Sequence, residues 1–317
     1  MIAFTTQVHV DELPFRLDFA SGIVSLGSCF SDEIGQRLRN GGFHIEANPF
    51  GTLYNPASIA NALQRLMHDS EIDMSDLVEY EGLWHSWHHH GRFSQPTAEA
   101  CLEACNSRIH LAHKALKEAQ LLMITFGSAW VFELKSEVGG RKSESEQDTS
   151  ALRPPTSNLQ VVANCHKLPQ ENFVRHRMSI DDIVTLWQPL LDELHAYYPS
   201  LHILFSVSPI RHIGDGLHGN QLSKSTLLLA IDQLQTTNNQ LPIHYFPSYE
   251  LILDELRDYR FFDTDMVHPS SLAVDFVWEH FQRATMVPAI RDQAHLNAKQ
   301  ARRNQHIPLH PTLQNTN

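Results

Sequence analysis

Two short stretches carry side chains whose types and spacing fit nucleophilic catalysis. Asp265-Met266-Val267-His268 sets a carboxylate three residues before an imidazole. A tight loop at that spacing lets the carboxylate accept from Nδ1–H. The contact fixes the tautomer, stabilises the imidazolium and leaves Nε2 as a general base. Far upstream, Gly27-Ser28-Cys29-Phe30 follows the apolar run Ile23-Val24-Ser25-Leu26. A side chain at a strand-to-helix turn meets the first N–H groups of the helix, which lower a thiol pKa and can hold an oxyanion. Cys29 would act there as a thiolate, and Ser28 would act with the histidine as its base. The plainer alternative makes Ser28 a helix cap and Cys29 a small buried apolar residue.

The elements that must position these groups alternate between short apolar runs and amphipathic stretches, the pattern of a parallel α/β sheet. Ile23–Leu26 is a predicted strand. SDEIGQRLRNGG is a predicted helix with Ser31 as N-cap and Gly41-Gly42 as its end. A second helix begins at Pro56. LLMITFG (121–127) and HILFSV (202–207) read as buried strands, with a short strand at 244–246. Ser179 and Asp182 open a helix over 179–200 that Pro189 should bend or split. Further helices are expected over 222–235 and near 276–280. Functional groups in such a fold gather at the carboxyl ends of the strands.

The chain has 317 residues, 42% of them hydrophobic, and reads as one globular domain over 1–292. A polar loop at 139–157 and a weakly ordered tail at 293–317 complete it. A net charge of −12 gives no electrostatic footprint for nucleic acid or an anionic membrane. No apolar run approaches the length of a membrane span, and the first residues lack the features of a secretory signal. Cys29, Cys101, Cys105 and Cys165 have neither zinc-type spacing nor a disulfide framework, so a cytoplasmic protein with free thiols is expected.

Other clusters have two readings each. Asn164, Cys165, His166 and Lys167 fall together in VANCHKLP. They would line a pocket, with His166 or Lys167 on an anionic group, or else Cys165 is core and Lys167 solvated. Arg211 and His212 follow the HILFSV strand, where an arginine would clamp a carboxylate or phosphate or pair with a nearby acid. Arg257 and Arg260 approach the same rim. WHSWHHHGRFS (84–94) places His85 and His89 at i,i+4 without a carboxylate or cysteine in register, so no metal site is expected. No cofactor is implied. A redox pair of Cys29 and Cys165 would require the two sulfurs to lie close.

LGSCFSDEIG, NPFGTLYNP, ITFGSAWVF, VANCHK, SVSPIRH, FPSYELILDELRDYR and DMVHPS occur in this order. Together they closely resemble the GSCFA domain family, itself similar to the SGNH (GDSL-like) hydrolases, across about residues 3–285. The resemblance implies a three-layer α/β/α sandwich with a central, mostly parallel, flavodoxin-like sheet. It also implies a hydrolase-type site for an ester or thioester, or an acyltransferase on the same site. The substrate would be a small acylated molecule, with acylated carbohydrates as one class. A non-catalytic binding module of the same fold is the alternative.

Carried across residue by residue, the first block of the superfamily puts Cys29 at the nucleophile position, and a shift of one residue would put Ser28 there. Asp265 and His268 match the last block directly. The oxyanion-hole glycine would be Gly51. The third block falls on Gly127-Ser128-Ala129, where Ala129 cannot donate as an asparagine does. Ser128, a backbone N–H, Asn48 or Asn164 would have to replace it. The Trp-His stretch, with His89, Trp84 and Trp87, would form a wall or recognition loop over the site.

Overall fold

The computed structural model describes residues 6–135, 160–238 and 241–305. The loop expected at 139–157 and the last part of the expected tail, 306–317, lie outside the described residues. The centre is a five-stranded, all-parallel sheet. Its strands are β1 (Gly22–Gly27), β2 (His44–Ala47), β5 (Ala119–Phe126), β9 (His202–Val207) and β10 (Ile243–Tyr245). Their spatial order is β10-β9-β5-β1-β2. The chain runs from β1 outward to β2 and then returns to the other side of β1. This puts the topological switch point between β1 and β5, the place where open α/β sheets bind ligands.

Alternation along each strand sends side chains to opposite faces. Val24, Leu122, Ile124, Ile203 and Phe205 join one buried cluster with helices α2 (Pro56–His68), α3 (Ala98–Lys117), α4 (Ile180–Tyr197) and α5 (Gly216–Thr237). Ile23, Leu121, Met123 and Leu204 join the other. That second cluster packs against helix α1 (Cys29–Gly41), the wide turn Leu251–Leu256 that follows the single turn α6 (Ser248–Glu250), and helices α7 (Ser271–Thr285) and α8 (Pro288–Gln305). The result is the expected three-layer α/β/α arrangement with a parallel sheet.

Several boundaries differ from the sequence reading. Ser28, not Ser31, is the N-cap residue of α1, and the strand passes into the helix within one residue. Gly27 makes this possible, because a Cβ there would lie 2.4 Å from the carbonyl oxygen of Thr125 on β5. α4 carries the expected Ser179–Asp182 capping box and accommodates Pro189 as one helix. The tail expected from 293 is helical to 305, and Asn297 Nδ2 donates to the carbonyl of Gly41 at 2.8 Å. No described helix is long and apolar enough to cross a membrane.

Two small antiparallel units sit beside the main sheet. Strands β3 (Leu77–Tyr80) and β4 (Leu83–Ser86) form a hairpin. Strands β6 (Trp130–Leu134), β7 (Gln160–Val162) and β8 (Phe173–Arg177) form a three-stranded sheet in the order β7-β6-β8. The residues immediately after β5 therefore lead into a wall beside the strand ends.

Candidate active site

The carboxyl ends of β1, β5 and β9 open into a cavity of about 690 Å³. Cys29, Asp265 and His268 all line it. Cys29 and His268 also line an adjoining space of about 270 Å³ on the side of α7. His268 donates from Nδ1 to Oδ2 of Asp265 at 2.6 Å. The other oxygen, Oδ1, accepts the backbone N–H groups of Val267 and His268, each at 2.9 Å. These three donors, the backbone of His268 foremost, hold the Asp265 carboxyl down to about 2. The loop predicted from spacing alone thus forms, and it leaves Nε2 as the uncommitted ring nitrogen.

Ser28 and Cys29 have opposite fates. Ser28 is buried at the N-cap position, but its side chain makes no capping bond and its hydroxyl has no hydrogen-bond partner. Its Cβ faces Gly127, whose own Cβ position would be 3.4 Å away. Cys29 is half-buried and faces the cavity. Burial pushes its thiol pKa up, and the nearby Asp32 adds to the rise. The N–H groups of Cys29 and Phe30 at the open end of α1 pull the other way without prevailing. Cys29 at rest is therefore a thiol that needs a base.

The residues expected to replace the missing oxyanion donor divide sharply. Asn48 is fully buried and spent on the fold. Its Oδ1 accepts from Gly27 N at 2.8 Å, and its Nδ2 donates to Asp32 at 2.8 Å. Gly51 has φ 79° and touches His90, where a Cβ would lie 2.3 Å from that residue's Cβ. Neither residue lines the cavity. Gly127 stands behind the wall, donating its N–H to the Tyr54 carbonyl at 2.7 Å. Ser128 does line the cavity, but its N–H also goes to Tyr54, at 2.9 Å. Ala129 donates its N–H to Ser223 Oγ at 2.8 Å.

Two carboxamides do reach the cavity. Asn164 accepts His166 N–H on Oδ1 at 2.8 Å, which folds its own turn. Asn55, which sequence reasoning did not single out, caps α2 by accepting Ser58 N–H on Oδ1 at 2.8 Å. Capping fixes the amide orientation and leaves the NH₂ of Asn55 as a donor at the cavity. Its position before Pro56 signalled only a helix start.

The Trp-His stretch is structural, not a wall of this cavity. His89 is fully buried, stacks on Phe50 with ring centroids 4.5 Å apart, and meets Ser86 Oγ at 2.9 Å. Trp87 packs with Val162, Leu168 and Phe173 in a separate small cluster, and Trp84 packs on the main core. His166 is also buried, bonded to the Ser86 carbonyl at 2.7 Å, and burial drives its pKa to about 4. Lys167 is exposed and lies away from the cavity. Among the described residues, no cluster of His, Cys, Asp and Glu has a metal-binding arrangement.

The opposite wall comes from the inserted β6–β8 sheet. Trp130 and Phe132 of β6 present their rings, and Arg175 of β8 lies 4.2 Å from the Trp130 centroid while ion-pairing with Asp215. Arg211 and His212 line the rim as expected from their place after β9. Arg211 rests over Tyr259 and Phe262 and makes a long contact of 3.4 Å to the Tyr259 hydroxyl. His212 is driven to about 4 by burial and the neighbouring Lys224. Arg260 pairs with Asp258 on the surface. Cys29 and Cys165 both line the cavity, and both are free thiols.

The sequence model of the GSCFA family matches residues 22–281. The chain belongs to the GSCFA family. Within this GSCFA chain, the match runs from the start of β1 through nearly all of α7, so every residue of the cavity falls inside it. No functionally curated protein matches the sequence. Among solved structures, the chain is similar to a Bacteroides fragilis protein assigned to the acylhydrolases. The identity is 9%, the TM-score is 0.40, and coverage is 89% of this chain and 92% of that one. A carbohydrate esterase family 3 protein from Talaromyces cellulolyticus gives 9% identity, a TM-score of 0.37, and coverage of 86% and 99%. A family two carbohydrate esterase from Clostridium thermocellum, solved with cellohexaose, gives 12%, 0.36, and coverage of 87% and 65%.

Proposed function

We propose that this GSCFA protein is a hydrolase of the esterase type that cleaves ester or thioester bonds through a covalent acyl-cysteine. The observation that carries this reading is the sharing of one cavity by Cys29 and a His268 already oriented by Asp265. Cys29 gives its proton to His268 Nε2 as its sulfur attacks the acyl carbonyl carbon. The oxyanion meets the N–H groups at the start of α1 and the Asn55 amide. The intermediate collapses, the leaving oxygen or sulfur takes the proton back from His268, and the acyl group stays on Cys29. Water, deprotonated by His268, then releases the acid.

Hydrolysis is favoured over transfer because His268 and Asp265 keep 51% and 48% of their side-chain surface exposed. Water therefore reaches the base in the acyl-enzyme. The aromatic wall of Trp130, Phe132 and Tyr54, set beside two carboxamides and Arg211, suits a small acylated molecule with polar substituents, acylated carbohydrates among them. The reading is tested by turnover of acyl esters and thioesters with wild type, Ser28→Ala, Cys29→Ala and His268→Ala. Loss in the last two alone supports it, and full activity in Cys29→Ala overturns it.

A further inference from the structure

The space of about 270 Å³ on the side of α7 meets the main cavity at the reacting pair, because Cys29 and His268 line both. Its walls come from three places in the chain. Phe30 and Glu33 belong to the first turns of α1, Ile210 follows β9, and Ser271 and Val274 open α7. Phe30, Ile210 and Val274 are buried members of the cluster that α1 and α7 share, so the floor of this space is apolar. Glu33, Asp263 and Ser271 are exposed and form its mouth, with Glu33 held by Arg37 at 2.8 Å. The main cavity differs in kind, since Asn55, Asn164 and Arg211 line it beside aromatic rings.

A carbonyl carbon under attack at Cys29 carries two groups that point apart, the acyl chain and the leaving group. Two spaces diverge from the same thiol and the same base. We propose that the space on the side of α7 is an acyl pocket, which takes an uncharged chain of medium length while the leaving group occupies the main cavity, and that Val274 and Ser271 set the chain length it accepts. An alkyl chain gains free energy by leaving water for an apolar floor, whereas a polar leaving group there would forfeit its hydrogen bonds. Apart from His268, the charged residues lining this space among those described are Glu33 and Asp263. A chain ending in a carboxylate would therefore meet like charge there. The assignment also suits the second half-reaction. Departure of the leaving group empties the larger cavity for water, and the acyl chain stays to one side of it. At about 30 Å³ for each water-sized group, this volume admits about nine chain atoms.

The inference rests on acylation at Cys29, and its test separates the two claims. kcat/KM is measured on the full chain for p-nitrophenyl esters from acetyl to dodecanoyl. The proteins are wild type, Val274→Phe, Ser271→Trp and, as a control in the main cavity, Phe132→Ala. In wild type, kcat/KM should rise by up to about fourfold for each methylene buried and stop rising near octanoyl. Val274→Phe and Ser271→Trp should keep acetyl turnover within about twofold and lower that of octanoyl by about tenfold or more. Phe132→Ala should leave the chain-length profile in place. If Val274→Phe does not fold, as judged by circular dichroism, Ser271→Trp decides, because it replaces an exposed side chain. A Ser271→Trp profile that overlays wild type, or a profile that shifts in Phe132→Ala instead, overturns the acyl pocket and leaves the esterase reading standing. Wild type that turns over none of these esters overturns both.

Discussion

Asp265 holds His268 at two points, taking its backbone N–H on Oδ1 at 2.9 Å and its ring Nδ1–H on Oδ2 at 2.6 Å. The ring and the loop that carries it are thus fixed by one carboxylate. The depressed carboxyl pKa gives the sign of the pH effect. This contact is fully present above the ordinary value of 3.8 and is lost as pH falls through about 2. Asp265→Asn should reduce kcat on the order of 10³–10⁴-fold by presenting the wrong tautomer. The downfield Nδ1 proton of His268, followed by NMR, should persist in wild type to pH 3 or so. Its absence at neutral pH in wild type would contradict the contact.

Ser28 has the nucleophile's chemistry without its position. Its hydroxyl is buried and unpartnered, so Ser28→Ala should leave turnover intact. Relief of an unsatisfied hydroxyl should leave stability unchanged or raise it by about 1 kcal/mol. Denaturant unfolding and steady-state kinetics on the same sample measure both.

Asn55 combines a cap and a donor that substitution can separate. Asp is as good an N-cap as Asn, so Asn55→Asp should keep α2 and the melting temperature. It removes the N–H donor and sets a carboxylate beside the oxyanion. kcat should fall at least 10²-fold, corresponding to about 2.7–4 kcal/mol of barrier, with KM little changed. A drop in melting temperature with unchanged kcat would make Asn55 a cap alone.

Arg211 lines the cavity with a phenol as its partner, whereas Arg175 is committed to Asp215. Substrates with an anionic group on the acyl or alcohol side should therefore engage it. Arg211→Gln should raise KM for such substrates roughly tenfold or more, consistent with about 1.5–3 kcal/mol for a charge-assisted hydrogen bond. Neutral esters should show no change. Equal losses on both substrate types would deny Arg211 this role.

The parallel sheet and its helices were legible because buried strands such as 121–127 and 202–207 are continuous apolar runs, and because caps such as Ser179 carry local chemistry. The Asp265–His268 loop was legible for the same reason: three residues suffice to close it. Contacts made only in three dimensions were not. Lys224 sits next to Ser223 and Ser225 in a stretch that reads as solvated helix, and only the depth of α5 against two loops reveals its burial. The β6–β8 wall was missed because three-to-five-residue strands separated by a long polar segment leave little periodicity. The Trp-His stretch was expected to form a wall or recognition loop over the site, yet His89 and His85 are consumed by stacking and by Ser86 and Ser94.

The nucleophile is most directly tested by trapping the acyl-enzyme. Wild type is mixed with an activated acyl ester, quenched in acid within the first turnovers, and mapped by tandem mass spectrometry with and without neutral hydroxylamine. The account predicts one acyl group on Cys29 that hydroxylamine removes, as for a thioester. It predicts no such adduct in Cys29→Ala or His268→Ala. An adduct on Ser28, or full turnover with Cys29 left free throughout, would contradict it.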